Sequence, residues 1–103
     1  MSEKEYLLFF DVDARKRHRH LFDGGRIIKF MVQLEVQTGT IWREVLRYDC
    51  AHEYVHKDCY NIRGKQRKMR LRLDYEDALT LADEDINLNW QTYRERFLRG
   101  EFP

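Results

Sequence analysis

Hydrophobic and polar positions alternate along much of the chain with a period of two. The clearest case is residues 26–36, where one face consists of Ile28, Phe30, Val32, Leu34 and Val36. This alternation predicts a half-buried strand. Further strands are predicted over residues 5–11, 40–48, 54–60 and 66–73. Turn-forming residues, including glycine in every case, separate neighbouring strands at residues 23–25, 37–40 and 61–64.

Two of these strands carry specific predictions about which side chains face the core. In residues 40–48, alternation puts Trp42, Leu46 and Tyr48 on one face, and on the other Ile41, Arg43, Val45 and Arg47. In residues 66–73, the inward side chains are predicted to be Met69, Leu71 and Leu73. The basic segment 14–20 has no helical periodicity, and the pattern predicts no element for residues 12–22.

The period changes after residue 73. Asp74 suits an N-cap, and Glu76 and Asp77 place acidic side chains in the first turn that follows. Apolar residues then recur at steps of three or four: Ala78, Ala82, Ile86, Trp90, Tyr93 and Phe97. This stripe predicts a helix over residues 75–98, about 36 Å long.

Together these elements predict an α+β fold. It consists of an antiparallel β-meander of four to six strands, with one long C-terminal α-helix packed on a sheet face. The chain has 103 residues, which suits a single domain spanning residues 1–103.

Composition narrows the class of protein. A hydrophobic fraction of 43% and an aromatic fraction of 14% favour a folded chain over a disordered one. No segment approaches the roughly 18 consecutive apolar residues of a membrane span. The N-terminal segment also lacks the basic start and cleavage site of a signal peptide. We therefore expect a cytoplasmic protein without a membrane partner, in which both cysteines are more readily thiols or ligands than a disulfide.

Charge is unevenly distributed, although the net charge is only +1. Residues 1–13 carry a net −3, residues 14–72 a net +9, and residues 73–103 a net −5. A basic centre predicts a surface that binds a polyanion such as RNA. Alternatively, the acidic C-terminal helix neutralises the basic sheet on which it packs. The candidate nucleic-acid contacts are Arg15, Lys16, Arg17, Arg19, Lys68, Arg70 and Arg72.

Residues 48–60, YDCAHEYVHKDCY, hold the densest chemistry in the chain. A zinc site could use Cys50, His52, His56 and Cys59. Four ligands within ten residues leave little chain to surround an ion, and strand alternation directs Cys59 away from His56. A three-ligand site could instead use His52, His56 and Asp58. We favour neither, and the sequence prediction is that no metal or cofactor is bound.

A catalytic interpretation of the same segment uses side chains instead of a metal. An aspartate beside a histidine can fix its tautomer, and two histidines can act as general base and general acid near neutral pH. An arginine can stabilise charge that develops on a phosphate. This chemistry suits metal-independent cleavage of RNA, with candidate catalytic residues Arg47, Asp49, His52, His56 and Asp58. The simpler alternative is a polar strand end.

Residues 41–58 resemble a motif of small prokaryotic proteins, W-x-x-V-x-R-Y-D-x-A-H followed by three residues and H-x-D. One such group is an uncharacterised domain family of about this size, for which the resemblance implies no activity. More distantly, the segment is similar to TumE-type toxins of toxin–antitoxin modules, which implies a ribonuclease-like toxin with a cognate antitoxin. The chain departs from the toxin pattern at Cys50, where asparagine is expected. It departs from the uncharacterised group at Glu53, where glycine is common.

We therefore predict a small RNA-acting protein, in its most specific form a toxin-like, metal-independent endoribonuclease. One alternative is a non-catalytic protein- or nucleic-acid-binding module of a toxin–antitoxin-like system. Others are an uncharacterised protein with no enzymatic activity and a metal hydrolase. The expected partners are RNA and an antitoxin-like protein, and an exposed sheet edge would also allow a homodimer.

Overall fold

The protein is described from a computed structural model that covers the backbone of residues 1–103 and every side chain except that of His52. The predicted role of the His52 side chain therefore lies outside the described residues. The elements, in chain order, are β1 (Ser2–Asp11), β2 (Ala14–Asp23), β3 (Arg26–Thr38), β4 (Ile41–Asp49), a 3-10 turn (Ala51–Glu53), β5 (Val55–Tyr60), β6 (Gln66–Leu71) and α1 (Tyr75–Leu98).

The six strands form one antiparallel sheet in the order β1-β2-β3-β4-β5-β6. Each strand pairs with its neighbour in sequence, which makes the sheet a simple meander. The helix packs on one face, chiefly against β3 and β4. The predicted α+β fold is confirmed, and the basic segment without a predicted element forms the second strand.

Helix α1 has the predicted bounds. The side chain of Asp74 caps it by accepting a 2.8 Å hydrogen bond from the backbone N–H of Asp77. Four residues of the predicted stripe are buried: Ala78, Ala82, Ile86 and Phe97. The small alanines allow the helix axis to approach the sheet closely, where the core side chains include Val32, Leu34 and Leu46. Trp90 lies at the margin, with its ring stacked 5.2 Å from that of Phe10.

An irregularity between β3 and β4 changes which side chains face the helix. Leu34 pairs with Leu46 but Glu35 pairs with Glu44, so that Val45 is an extra residue in β4. Such a bulge reverses the alternation on its far side. The prediction that Trp42 shares a face with Leu46 and Tyr48 was therefore wrong.

Arg43 moves to the helix side for the same reason. Its guanidinium lies 5.7 Å from the ring of Phe97 and donates a 3.0 Å hydrogen bond to the carbonyl of Ile62. At the far edge of the sheet, Met69 and Leu73 were predicted to face the core. They are 49% and 39% exposed, so this prediction was also wrong.

Among the described residues, no helix combines the length and apolar character needed to cross a lipid bilayer.

Candidate functional site

The sheet face away from α1, here called the open face, carries a ladder of polar side chains. Strand register places Arg15 opposite Glu35, and Gln33 between Arg17 and Arg47. The carboxylate of Glu35 accepts from Arg15 at 2.6 Å, from Arg17 at 2.9 Å and from Gln33 at 2.6 Å. Cross-strand neighbours of this kind stabilise a sheet and fix side-chain positions.

Glu35 is the centre of this ladder, and it is only 5% exposed. Its burial acts to raise its pKa, but hydrogen bonds from Arg17, Arg15 and Gln33 outweigh burial and hold the pKa below its ordinary value. Glu35 is therefore an anion at neutral pH, and it partly neutralises two of the predicted nucleic-acid contacts.

Arg47 continues the ladder towards β5. Its Nε donates to the side-chain oxygen of Gln33 at 2.6 Å, and its Nη2 donates to Glu44 at 2.7 Å. Register places Arg47 opposite Asp58, yet these two described side chains form no ion pair. The side chain is 30% exposed, so one side of the guanidinium remains open to a ligand.

Three of the predicted catalytic residues converge at the β4–β5 pair. Asp49 lies opposite His56 in register, and its Oδ1 is 2.5 Å from Nε2 of the imidazole. Oδ2 of Asp58 lies 3.3 Å from Nδ1 of the same ring. We call Asp49, His56 and Asp58 the Asp–His–Asp cluster. Its side chains are 14%, 4% and 6% exposed, respectively.

The two contacts in the cluster are close, but they lack the direction of hydrogen bonds. Among the described side chains, neither ring nitrogen of His56 nor Oδ1 of Asp58 has a hydrogen-bond partner. The strength of a hydrogen bond depends on direction as well as on distance, so these two contacts are close approaches and not hydrogen bonds. One ligand atom from each residue lies within 4.8 Å of the others, which is an arrangement that could hold a metal ion.

The backbone between β4 and β5 brings this cluster together. Asp49 Oδ1 accepts from the N–H of Ala51 at 3.2 Å, at the start of the 3-10 turn. Glu53 ends that turn with φ of 68°, in the left-handed region. Tyr54 follows, with its ring 5.6 Å from the imidazole of His56, and the guanidinium of Arg70 lies 4.6 Å from the Tyr54 ring. Tyr54 and Arg70 thus flank the cluster on the β6 side.

Residues 1–103 match the model of a family described as a domain of unknown function, DUF7718. The chain belongs to this family. No curated protein and no solved structure matches the chain. The prediction of a small uncharacterised domain family is thereby confirmed, while the resemblance to TumE-type toxins stays a prediction.

Neither cysteine of this DUF7718 domain joins the Asp–His–Asp cluster. Cys50 is buried, and its Sγ accepts from the backbone N–H of Phe30 at 3.3 Å. Cys59 pairs in register with Leu46, a core residue on the helix side of the sheet. Burial raises the pKa of the Cys59 thiol. The sequence argument from strand alternation therefore separated Cys59 from His56 correctly.

The predicted nucleic-acid contacts divide between the two faces. On the open face, Arg19 pairs with Glu3 at 2.7 Å, while Lys68, Arg70 and the neighbouring Arg72 are exposed. Lys16 faces the helix instead, because its neighbours Arg15 and Arg17 point outward. Its ammonium lies 3.0 Å from Asp83 and 2.9 Å from the Asn87 side-chain oxygen, and the residue is 2% exposed.

A second histidine cluster lies beneath the helix and had no sequence prediction. His18 Nδ1 is 3.2 Å from Asp83, and its Nε2 is 2.7 Å from Nδ1 of His20. The ring of Tyr6 stacks on His18 at 4.6 Å. Burial and the nearby charges of His18 and Lys4 lower the pKa of His20. His18 and Asp83 are 65 residues apart in sequence, so no local motif could have indicated their contact.

Asp85 is the centre of another buried network that sequence patterning did not indicate. The hydroxyls of Tyr48 and Tyr93 each donate to its carboxylate at 2.6 Å, and Asn89 donates at 2.8 Å. Burial acts to raise the pKa of Asp85, but these hydrogen bonds and the charge of Lys57 outweigh it and lower the pKa. This network joins α1 to β4 and β5 and has a structural role.

Proposed function

We propose that this protein binds single-stranded RNA on the open face of its sheet. The observation that carries the proposal is a cleft of about 300 Å³ lined by three cations, Arg19, Lys29 and Arg47. Glu3 is its one carboxylate, and its remaining lining is Leu21, Phe30 and Met31. Arginine and lysine side chains bind phosphates, and phosphate contacts supply most of the non-specific affinity for nucleic acids.

The pairing of charges supports a polyanion surface over simple internal neutralisation. Two acidic residues of α1 neutralise lysines on the helix side: Asp83 contacts Lys16, and Asp85 contacts Lys57 at 3.6 Å. The cations around the cleft lie on the other face of the sheet. There Arg19 pairs with Glu3 and Arg47 with Glu44, whereas Lys29 forms no ion pair among the described side chains. The exposed Lys68 and Arg70 of β6 extend the basic surface beyond the Asp–His–Asp cluster.

Aromatic side chains beside these cations could stack on unpaired bases. Phe9 is 55% exposed, and its ring packs edge-on against Trp42 at 5.9 Å. The Arg15 guanidinium lies 3.9 Å from the Trp42 ring. Tyr54 lies at the opposite side of the open face. Stacking on aromatic rings and arginine planes is the usual way in which proteins bind single-stranded RNA.

Binding can be tested by fluorescence anisotropy with a labelled single-stranded RNA at increasing salt concentrations. We expect affinity at low salt that falls as salt rises, and a double variant Arg19→Ala/Lys29→Ala that binds more weakly. Each lost phosphate contact should reduce the salt dependence by about one unit of log–log slope. Arg99→Ala is the matched control, since Arg99 is an exposed cation at the end of α1.

Two results would contradict RNA binding on the open face. The first is no binding at low salt. The second is a loss of RNA affinity in Arg99→Ala as large as that in the double variant. Such a loss would mean that the RNA does not bind specifically at the cleft.

Cleavage of the bound RNA is the more specific prediction made from the sequence, with Arg47, Asp49, His52, His56 and Asp58 as catalytic residues. Asp58 lies 3.3 Å from Nδ1 of His56, a position from which a carboxylate would orient an imidazole base if it accepted a hydrogen bond from that nitrogen. However, His56 is 4% exposed and both its nitrogens face carboxylates, so the geometry supports binding more strongly than cleavage. If cleavage occurs with a chelator present and His56→Ala or His52→Ala abolishes it, the catalytic prediction holds. Cleavage unaffected by both changes would reject it.

A further inference from the structure

We propose that Asp49, His56 and Asp58 form a binding site for a divalent transition-metal ion of the Mn²⁺, Fe²⁺ or Zn²⁺ type. This inference does not depend on RNA binding. The sequence prediction of no metal was made for sites that used Cys50, His52 or Cys59. The structure brings together a different set, in which Asp49 replaces those residues because register places it opposite His56.

The Asp–His–Asp cluster has unmet hydrogen-bonding capacity. Both ring nitrogens of His56 and Oδ1 of Asp58 are buried and have no hydrogen-bond partner among the described side chains. Buried polar atoms almost always have a partner, since leaving them without one is costly. A cation bound through one ring nitrogen and Oδ1 of Asp58 would supply a partner for those two atoms, and the other ring nitrogen would face the carboxylate beside it.

The two carboxylates of the cluster lack a cationic side chain as partner among the described residues. Two carboxylates lie against one imidazole, and no described lysine or arginine forms an ion pair with either of them. By register, Arg47 and Lys68 lie opposite Asp58, and Arg70 lies opposite His56. Arg47 donates to Gln33 and Glu44, the Arg70 guanidinium lies over the Tyr54 ring, and Lys68 is exposed. Buried charges are normally paired or coordinate metals, and a divalent cation balances two carboxylates.

The cluster offers one imidazole and two carboxylates as ligands. Imidazole suits zinc and iron, whereas carboxylates suit manganese and magnesium, so a mixed set favours the metals that accept both. Calcium prefers an all-oxygen site and is disfavoured here. An imidazole binds a metal through one nitrogen, and a carboxylate at the other nitrogen commonly orients the ring. The cluster has a carboxylate at each nitrogen.

The spacing is consistent with closure around an ion. Ligand atoms about 2.1 Å from a metal lie about 3.0–3.5 Å apart at tetrahedral or octahedral angles. The separation of Nδ1 and Asp58 is 3.3 Å, and all three ligand atoms lie within 4.8 Å of one another. Oδ1 of Asp49 lies 2.5 Å from Nε2, closer than two ligand atoms of one ion, so an ion at that nitrogen would require the Asp49 carboxylate to rotate away from it. Asp49, the most exposed member, lies on the route from solvent.

Isothermal titration and thermal unfolding of chelator-treated protein test this proposal with Mn²⁺, Zn²⁺, Mg²⁺ and Ca²⁺ added one at a time. We expect Zn²⁺ or Mn²⁺ to bind one equivalent and raise the melting temperature, with Mg²⁺ and Ca²⁺ at least about tenfold weaker. Asp58→Asn and His56→Gln should each weaken binding by about tenfold or more. Asp23→Asn and His20→Gln are matched controls outside the site and should bind as the wild type does.

The proposal fails if neither Zn²⁺ nor Mn²⁺ binds saturably, or if the cluster variants bind as the controls do. A site variant that does not fold leaves a test on the unmodified protein. The Mn²⁺-loaded protein should show magnetic coupling to an imidazole nitrogen by pulsed electron paramagnetic resonance. Loss of that coupling in His20→Gln, or its absence from the wild type, would overturn the assignment to His56.

Discussion

Glu53 lies in the short connection between Asp49 and His56 of the Asp–His–Asp cluster, with its backbone in the left-handed region. It is the one non-glycine residue with positive φ among those the structure describes. The left-handed conformation costs an L-residue roughly 1–2 kcal/mol. Strand pairing of β4 with β5 on either side holds the turn in place, since Asp49 pairs with His56. Strain that is maintained in this way is typical of functional sites.

Replacing Glu53 with glycine should relieve that strain. We expect Glu53→Gly to stabilise the fold by about 0.5–1 kcal/mol, because relief of the left-handed conformation exceeds the entropy that glycine adds to the unfolded chain. Chemical denaturation measures this change. Glu53→Ala is the control, since it removes the same side chain and keeps the strain. A glycine variant less stable than the alanine variant would show that Glu53 is not strained.

At the scale of single residues, local pattern located some side chains and missed others. Strand alternation was enough to direct Cys59 away from His56. The same rule would have placed Lys16 under the helix, had the segment from Arg15 to His20 been assigned to a strand. The partners of His18 could not be found in this way, because Asp83 lies on α1 and only the packing of the helix brings it near.

At the scale of elements, the long helix was the most predictable part of the chain. Its bounds were set by a local N-cap and by a continuous apolar stripe, both of which depend only on nearby residues. The bulge at Val45 is different in kind, because it is a property of the pairing of two strands. No local pattern in β4 marks it, and the inward face of residues 41–44 was therefore predicted incorrectly.

The N-cap makes a measurable contribution to the helix. Asp74→Ala removes the acceptor for the Asp77 N–H and should lower the free energy of unfolding by about 1 kcal/mol. Asp74→Ser keeps a capping acceptor and should retain most of the stability of the wild type. Urea denaturation gives the comparison. Glu84→Ala is the control, because Glu84 is an exposed carboxylate in the middle of the helix. Equal losses for Asp74→Ala and Glu84→Ala would mean that helix charge, and not capping, is responsible.

At the scale of the whole molecule, the sheet separates two kinds of electrostatics. The helix face holds two lysines that are neutralised by Asp83 and Asp85, and the open face holds an arginine–glutamate ladder beside a cleft lined by three cations. The uneven charge along the sequence suggested two alternatives, internal neutralisation and a polyanion surface. Because alternate residues of one strand face opposite sides, internal neutralisation takes place on the helix face, and the open face is the one on which we propose that RNA binds.

The buried acids under the helix make stability depend on pH in a definite direction. Hydrogen bonds and nearby cations hold the pKa of Asp83 and of Asp85 below the ordinary value, despite burial. A carboxyl whose folded pKa is lower than its unfolded pKa contributes stability above the unfolded value, near pH 4, and loses it as the pH falls towards the folded value. We therefore expect the free energy of unfolding to decrease progressively below about pH 4.

Asp85→Asn isolates the contribution of one of these acids. At neutral pH it should lower stability by about 1.5–3 kcal/mol, since Tyr48 and Tyr93 donate to different carboxylate oxygens and the amide keeps only one acceptor oxygen, which is neutral. Between about pH 5 and pH 3, the variant should lose less stability than the wild type, because the carboxyl whose pKa is lowered in the fold is no longer present to take up a proton. Urea unfolding at about pH 7, 5, 4 and 3 measures both effects. An unchanged pH slope would mean that Asp85 titrates alike in the folded and unfolded chain, and the network around it would then stabilise the helix by packing alone.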